Sequence, residues 1–587
     1  MILSKSFFYG LTFGLRVLCE FDINCRRIYY MVMRIGLDVG GTHTDAVLVG
    51  KEGIVSSSKV VTEHDDLLKS VLSALREILG NVDPKRIEAI TLSTTLTTNA
   101  LLEEKADRVG VIVSSGPGVD PAYHRIGDAY FVVDGSIDHR GEERKPLDRQ
   151  QLEEAVASCR EQGIRAYAVA TKFSTRNPSH ELRMESIIDR DADVITAGNR
   201  LSGGLNFPRR INTAYFNSAV WRIFNEFAYA VAEGICELGL DAPINVLKAD
   251  GGTMTFAASR NVPVQSILSG PAASIMGIAA LCEIDRDAVV LDIGGTSTDI
   301  AVFAAGSPLI EREGISLHSR PTLVRSLKTE SIAVGGDSIL RISSGKVTVG
   351  PDRSGPCMAA GGNRPALLDA LNIAGETAFG DVEASRRGIS DLALKAGSSS
   401  GEIAREAIDK AIQAITAAVR SMIDETNERP LYTVHELLHA EKIVPSRLFI
   451  IGGPAVAFSR SLSQAFALET TVPKLHGVAN AIGAALTRST MDIELFADTE
   501  REVLLVPRLS VQKSIGRNYS LEDARLAAEQ YLLASVEAAG AADVQVVEAS
   551  TFNMMHGSRM AGRNIRVRSQ IKPGLIQSYL NSVRSSC

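Results

Sequence analysis

Paired cysteines are missing from this sequence. Its seven cysteines (Cys19, Cys25, Cys159, Cys236, Cys282, Cys357 and Cys587) are odd in number, scattered and without a C-x-x-C pair. That excludes a zinc ribbon and favours reduced thiols in a cytoplasmic protein over a disulfide framework. Long basic runs are also missing, and 62 Lys plus Arg against 69 Asp plus Glu leave a net charge of -7. Such a balance offers no electrostatic footprint for nucleic acid, so a small-molecule or protein partner is expected. No stretch reaches the roughly 18 uninterrupted apolar residues of a membrane-spanning helix. The opening residues imitate a signal peptide, but Arg16 interrupts the apolar run and no small-residue cleavage pattern follows. Residues 1–32 are therefore expected to be an extension outside the fold, with Met33 as the natural start.

What remains is an ordinary globular composition, 45% hydrophobic and 22% charged, long enough for about three to four domains. From Arg34 onward, strand-like runs (RIGLDV, DAVLVG, RVGVIV, AYAVAT, ADVITA, INVLKA, AVVLDI, DIAVFA, RLFIIG) alternate with stretches whose apolar residues recur at helical spacing. This alternation predicts an α/β architecture. The expected divisions are 33–200, 201–490, and a small C-terminal α/β unit over 491–587.

Glycine is only mildly frequent, at 49 residues, but its placement is informative. Pairs recur at 40–41, 251–252, 294–295 and 452–453, each ending a predicted strand. Two of them belong to a repeated string, LDVGGTHTDAVLV (37–49) and LDIGGTSTDIAVF (291–303). Copies about 250 residues apart indicate a duplicated unit rather than a short-period solenoid. A glycine pair permits positive φ and close approach to an anion, and exposed amides in such a turn bind phosphate oxygens. Gly40, Gly41, Gly294 and Gly295 would supply that turn. Thr42, Thr44, Thr296, Ser297 and Thr298 could donate hydroxyls. Asp38 and Asp292 end their strands where a carboxylate could hold water on Mg²⁺ or orient an attacking group. Asp45 and Asp299 would serve the same site or brace the hairpin. Gly452 and Gly453, at a strand end before a helix, could lay bare backbone against a flat ring such as adenine. A Gly-Pro turn is expected to enter a small-residue helix at ILSGPAASIMGIAAL (267–281). With a second such helix at HGVANAIGAAL (476–486), it would allow close helix packing.

This series resembles the actin, sugar-kinase and heat-shock chaperone superfamily, with two ribonuclease-H-like lobes closing on ATP and a divalent metal. The narrower match, on DVGGTHTD, STTLTTNALLE (93–103), ADGGT (249–253), SGPAAS (269–274), DIGGTSTD and HGVANAIGAA, resembles the A-type subunit of the hydantoinase/oxoprolinase family. The resemblance implies a two-lobed actin-like ATPase fold with the C-terminal appendage. It implies ATP with Mg²⁺ or Mn²⁺, phosphate binding by Gly40, Gly41, Thr42, Gly294, Gly295 and Thr296, to which the repeated strings themselves add Thr44 and Thr298, and adenosine at Gly452 and Gly453. Asp38 and Asp292 would be metal residues, and Asp38, Asp292 and Asp299 catalytic ones. It further implies an oligomer, a B-type partner subunit, and a substrate that is a hydantoin, 5-oxoproline or related lactam, opened after phosphorylation of its carbonyl oxygen. The sequence departs from the family at AVGGDSI (333–339), where Asp337 interrupts a glycine run, and at 350–365. These departures are expected to bear on substrate and partner while leaving the nucleotide motifs intact.

Other features receive plainer readings. HELLH (435–439) has the spacing of a zinc protease, but no third ligand follows and a surface helix is expected. His43 and His124 read as satisfied polar residues, Thr94, Thr95, Thr98 and Asn99 as helix caps, and Cys282 and Cys357 as incidental thiols. Alternatives to the lactam hydrolase are a ketone-carboxylase subunit and a nucleotide-switched regulatory ATPase.

Overall fold

The computed structural model describes residues 32–63, 66–311, 313–351, 355–428, 442–535 and 543–585. The expected extension up to residue 31 and the HELLH segment lie outside the described residues.

The chain opens with β1 (Met33–Val39), β2 (His43–Gly50) and β3 (Gly53–Val61), an antiparallel meander. Helix α1 (Leu67–Leu79) covers one side with Val71, Ala74, Leu75 and Ile78, a three- and four-residue spacing that makes one apolar stripe. Asp66 starts this helix by accepting the Lys69 N–H at 3.0 Å. Strand β4 (Ile87–Thr94) then pairs parallel to β1 and leads into α2 (Leu96–Leu102). A separate parallel sheet follows from β5 (Val109–Ser114), β6 (Tyr130–Val132), β7 (Ala166–Thr171) and β8 (Val194–Ala197), in the order β8-β7-β5-β6.

The 31-residue α3 (Phe207–Glu237) packs along that sheet and leads back to the first one. There β9 (Ile244–Leu247) and β10 (Thr253–Thr255) complete the order β10-β9-β4-β1-β2-β3. The division expected at 200/201 therefore does not separate sheets. The edge of β4 was still unpaired when the chain left it, and β9 returns to satisfy its backbone groups.

After α4 (Ser269–Leu281), the hairpin β11 (Ala288–Ile293) and β12 (Thr298–Ala304) founds a second mixed sheet. β13 (Thr329–Ile332) pairs with β12. The long α5 (Ser400–Asn427) begins at a Ser399–Glu402 capping box. Then β14 (Arg447–Ile451) runs parallel to β11, followed by α6 (Ala455–Phe466), β15 (Glu469–Thr471) and α7 (Ala479–Leu486). Helices α4 and α7 are sandwiched between the two sheets in one apolar core. Their small residues matter as expected: a Cβ on Gly277 would lie 2.1 Å from Ala479 O, and one on Gly483 would lie 2.2 Å from Ala273 O. The Gly-Pro pair is not a turn before α4. Gly270 and Pro271 sit in its first turn, where proline's missing N–H has no intrahelical partner to lose.

The C-terminal unit is a five-stranded antiparallel sheet of β16 (Asp492–Asp498), β17 (Val503–Val506), β18 (Val511–Ser514), β19 (Val544–His556) and β20 (Arg559–Ile571), ordered β18-β17-β16-β20-β19. Helix α8 (Leu521–Ala534) covers one face. The last helix, α9 (Gln577–Ser585), leaves this unit and buries Tyr579, Leu580 and Val583 in the core of α4 and α7, so the unit is not a simple appendage. The fold is thus mixed α/β. Among the described residues no helix is long and apolar enough to cross a membrane.

Candidate functional site

The two copies of the repeated string form hairpins of identical register. Asp38 pairs with Asp45 and Val39 with Thr44 in the first, and Asp292 with Asp299 and Ile293 with Thr298 in the second. The Gly40 N–H donates to His43 O at 3.1 Å, and the Gly294 N–H to Ser297 O at 2.9 Å, closing equivalent turns. None of Gly40, Gly41, Gly294 and Gly295 has positive φ, contrary to the reason first given for them. Crowding is the cause at Gly295, where a Cβ would lie 2.3 Å from Asp337 Oδ2. Gly41 has open space around it and is exposed.

The second threonine of each string is occupied by the fold. Thr62 donates its hydroxyl to Gly40 O at 2.9 Å, so the 3.0 Å contact between Thr44 and Thr62 uses the Thr44 hydrogen. Thr298 donates to Val334 O at 2.6 Å. Both residues are fully buried. Thr42, Thr296 and Ser297 keep accessible hydroxyls, whereas the burial of Thr44 and Thr298 corrects the expectation for those two.

The first aspartates of the strings face a common residue absent from the expected set. Asn480, at the start of α7, donates its amide to Asp38 Oδ2 at 3.2 Å and to Asp292 Oδ2 at 3.3 Å. Ser274 of α4 donates to Asp292 at 2.5 Å. Burial, with repulsion from Asp45 and Asp292, pushes the Asp38 carboxyl up to about 7. Burial and the neighbouring Asp292 push Asp299 to about 7, and burial raises Asp45 and Asp292 as well. Lys59 on β3 answers Asp45 with contacts of 2.7 and 2.8 Å and also donates to Gly477 O at 3.0 Å. No cation is paired with Asp299 among the described residues; its cross-strand neighbour is Ser331.

This donor set fits a hard divalent cation. Asp38 Oδ1 and Ser93 Oγ, neighbours across the β1–β4 register, are both buried and outside ordinary hydrogen-bond geometry, with Ser93 still close enough to hold the Asp38 carboxyl down. Hard cations prefer such oxygens. Among the described residues no three His, Cys, Asp or Glu side chains form a ready ligand cluster, so water and phosphate oxygens would complete the shell.

The Gly-Gly-Pro turn after β14 closes the second hairpin. Gly452 has φ +95° and packs against β11, where a Cβ would lie 2.2 Å from Ile293 O, whereas Gly453 borders open space. His476 holds the turn, its Nδ1 2.7 Å from Gly452 O and its carbonyl accepting the Gly452 N–H at 3.0 Å. The segment 333–339 touches this site directly. Gly336 N–H donates to Gly294 O, and Asp337 places one carboxylate oxygen beside Gly295 while the other accepts the Cys357 N–H at 2.8 Å.

Other residues stay structural. His43 is exposed beside Thr42, and His124 packs edge-on to Phe207. Thr94 does receive the Leu96 N–H, but Thr98 accepts from Leu268 N–H and Thr95 donates to Val39 O, so these two tie α2 to other elements instead of capping it. Burial raises the Cys357 thiol to about 12, which suits an inert side chain. Lys59, Asn480 and His476 escaped sequence reasoning. For the last two, the signal was their place in the quoted string HGVANAIGAA.

Comparison with known proteins gives two matching family models, the hydantoinase/oxoprolinase N-terminal region over residues 34–192 and hydantoinase/oxoprolinase over 210–493. Caprolactamase subunit alpha of Pseudomonas jessenii is 28% identical over 59% of this chain and 55% of its own length. Acetophenone carboxylase gamma subunit of Aromatoleum aromaticum is 24% identical over 81% and 70%. 5-oxoprolinase 1 of Arabidopsis thaliana is 25% identical over 77% and 41%. The chain thus spans about half the length of the caprolactamase subunit and less of the oxoprolinase. Among solved structures, a nucleotide-free acetone carboxylase superposes with a TM-score of 0.70 at 15% identity, covering 94% of this chain and 89% of that one. The ATP-dependent caprolactamase of Pseudomonas jessenii gives 0.65 at 19%, covering 92% and 87%. These likenesses establish the fold.

Proposed function

The chain belongs to the hydantoinase/oxoprolinase family, and on that premise we propose that it is an ATP-dependent hydrolase opening a cyclic amide such as a hydantoin, 5-oxoproline or a related lactam. The observation that carries the reading is the shared Asn480 amide, which holds Asp38 and Asp292 of two matched hairpins at one place. Two anion-binding turns on either side of paired carboxylates suit a polyphosphate with its divalent cation. Under this reading the two sheets belong to the two lobes of an actin-like ATPase.

Gly40, Gly41, Thr42, Gly294, Gly295 and Thr296 would receive phosphate oxygens, and Gly453 would lie under the adenine. Asp38 and Asp292 would hold Mg²⁺ or Mn²⁺, which neutralises phosphate charge. Transfer of the terminal phosphoryl group to the amide oxygen makes the ring carbon electrophilic. Water then adds there, the ring C–N bond breaks, and ADP and phosphate are the other products. Asp299 is poised near 7, the range in which a carboxylate can take a proton from that water at neutral pH. A partner subunit is part of the proposal, because the matched caprolactamase and acetophenone carboxylase chains are named as subunits.

A ketone-carboxylase subunit is the second reading, favoured by the larger share of both chains in the acetophenone carboxylase match. Measuring ATP hydrolysis with 5-oxoproline, hydantoin and caprolactam, against bicarbonate plus ketone, separates the two. A lactam should stimulate turnover, and Asp292→Asn should lower kcat by at least about a hundredfold, the scale of losing charge stabilisation in phosphoryl transfer. Unchanged ATPase activity in that variant would remove the shared premise.

A further inference from the structure

A large cavity lies apart from the hairpins. It is a cleft of about 1260 Å³ along the β10 edge, walled by β8, by Trp221 of α3 and by the segment leading into α9. Its floor includes Arg34 and Glu88, four and five residues upstream of Asp38 and Ser93 on their strands. At about 3.3 Å per residue, that places the floor roughly 13 to 17 Å from the paired aspartates. The volume is ample for an organic ligand. Lys248 and Thr253, flanking and ending the ADGGT string, also line it, so a motif with no part in the nucleotide site is accounted for here.

Five cations border the cleft, and four are answered. Arg34 meets Glu88 at 2.6 Å, Arg200 meets Glu185 at 2.7 Å, Lys248 meets Asp250 at 3.1 Å and Arg508 meets Asp492 at 2.6 Å. Arg488 has no acceptor among the described residues, and its Nε is buried without a hydrogen bond over the bare backbone of Gly574. A guanidinium stays charged at any physiological pH and offers a planar fork matched to a carboxylate. Leaving it half-buried and unpaired is costly unless an anion answers it. The one lining cation without a carboxylate calls for an anionic group, and its planar fork suits a carboxylate. Met254, Val262, Leu575 and Ile576 supply apolar wall beside it.

We propose that this cleft binds a small organic monocarboxylate, its carboxylate forked by Arg488 and its apolar body against Trp221. Trp221 is the chain's one tryptophan, so intrinsic tryptophan fluorescence reports on this cleft alone. The full-length protein, without nucleotide or lactam, is titrated with hexanoate and phenylbutanoate and with the neutral amides of the same acids, with calorimetry in parallel. The carboxylates should bind saturably and about tenfold to a hundredfold more tightly than the amides, the scale of a charge-assisted hydrogen bond. Arg488→Gln should abolish that preference without lowering the melting temperature of the ligand-free protein, and Arg488→Lys should keep part of it. Absence of saturable binding, or a preference that survives Arg488→Gln, overturns the proposal. Should Arg488→Gln fail to fold, equal affinity of the wild type for acid and amide overturns it too. None of these outcomes depends on whether the protein opens lactams.

Discussion

Lys59 and Ser331 stand at the same place in the two copies of the hairpin, each across a strand from the second aspartate of its string. The duplication is therefore broken at one side chain. Asp45 has a cation and Asp299 has a hydroxyl, and burial beside Asp292 holds Asp299 near 7. Its ordinary value is about 3.9, so between about pH 4 and 7 the folded protein keeps a proton there that the unfolded chain has lost. A group raised in this way removes stability as pH rises through that window. The nucleotide-free protein should accordingly melt lower at about pH 7.5 than at about pH 5.5. Asp299→Asn should reduce that slope and leave the part due to Asp38, which burial also holds near 7, and Ser331→Lys, which restores the missing cation, should reduce it as well. A slope identical in all three proteins would show that Asp299 is not the group responsible. Sequence reasoning found the aspartates because they repeat. Lys59 carried no such signal, and Asn480 was marked only by its place in HGVANAIGAA, since their roles depend on strand register and on where a helix docks.

The strands and amphipathic helices were legible because period-two and period-3.6 patterns report directly on which face is buried. Helix α3 was not, because its apolar residues are buried on nearly every side and leave no stripe to read. The pair α4 and α7 was legible for another reason: runs of glycine, alanine and serine mark helices whose backbones nearly touch. That contact also sets the site, since Asn480 follows Ala479, the residue whose carbonyl meets Gly277. Gly277→Ala would force a methyl against backbone, an overpacking that costs about 1–3 kcal/mol. It should lower the melting temperature by several degrees, at about 2–4 °C per kcal/mol. It should also reduce kcat, because the start of α7 shifts. Gly401→Ala, in the first turn of α5 where a Cβ would meet only the Arg405 guanidinium at an ordinary 3.8 Å, is the control and should melt no lower. Equal melting temperatures and equal kcat for the two variants would mean that α4 and α7 tolerate separation.

Across the whole molecule, the duplication was visible in sequence, and the expected divisions at 33–200 and 201–490 lie close to the two family matches over 34–192 and 210–493, but the way the sheets cross them was not visible. A repeated string shows that two units exist, but not that β9 and β10 cross the expected boundary to finish the first sheet, or that α9 returns to the central core. Those crossings make the two halves share α4, α7 and α9, with the paired aspartates between them. A nucleotide bound by both turns would then link the halves as a single ligand. The two strings could instead make two independent anion sites, and the alternatives differ in stoichiometry. Calorimetric titration with a non-hydrolysable ATP analogue and Mg²⁺ should give one nucleotide per chain. Gly41→Asp, which puts a charge into an exposed turn without crowding it, should weaken that binding by at least about tenfold. Gly294→Asp should do the same from the other side. Ligand-induced stabilisation scales with occupancy, so the rise in melting temperature at a fixed analogue concentration should shrink in both variants. Two nucleotides per chain, or one variant that keeps full affinity while the other loses it, would assign the turns to separate sites and leave the Asn480 bridge a purely structural contact.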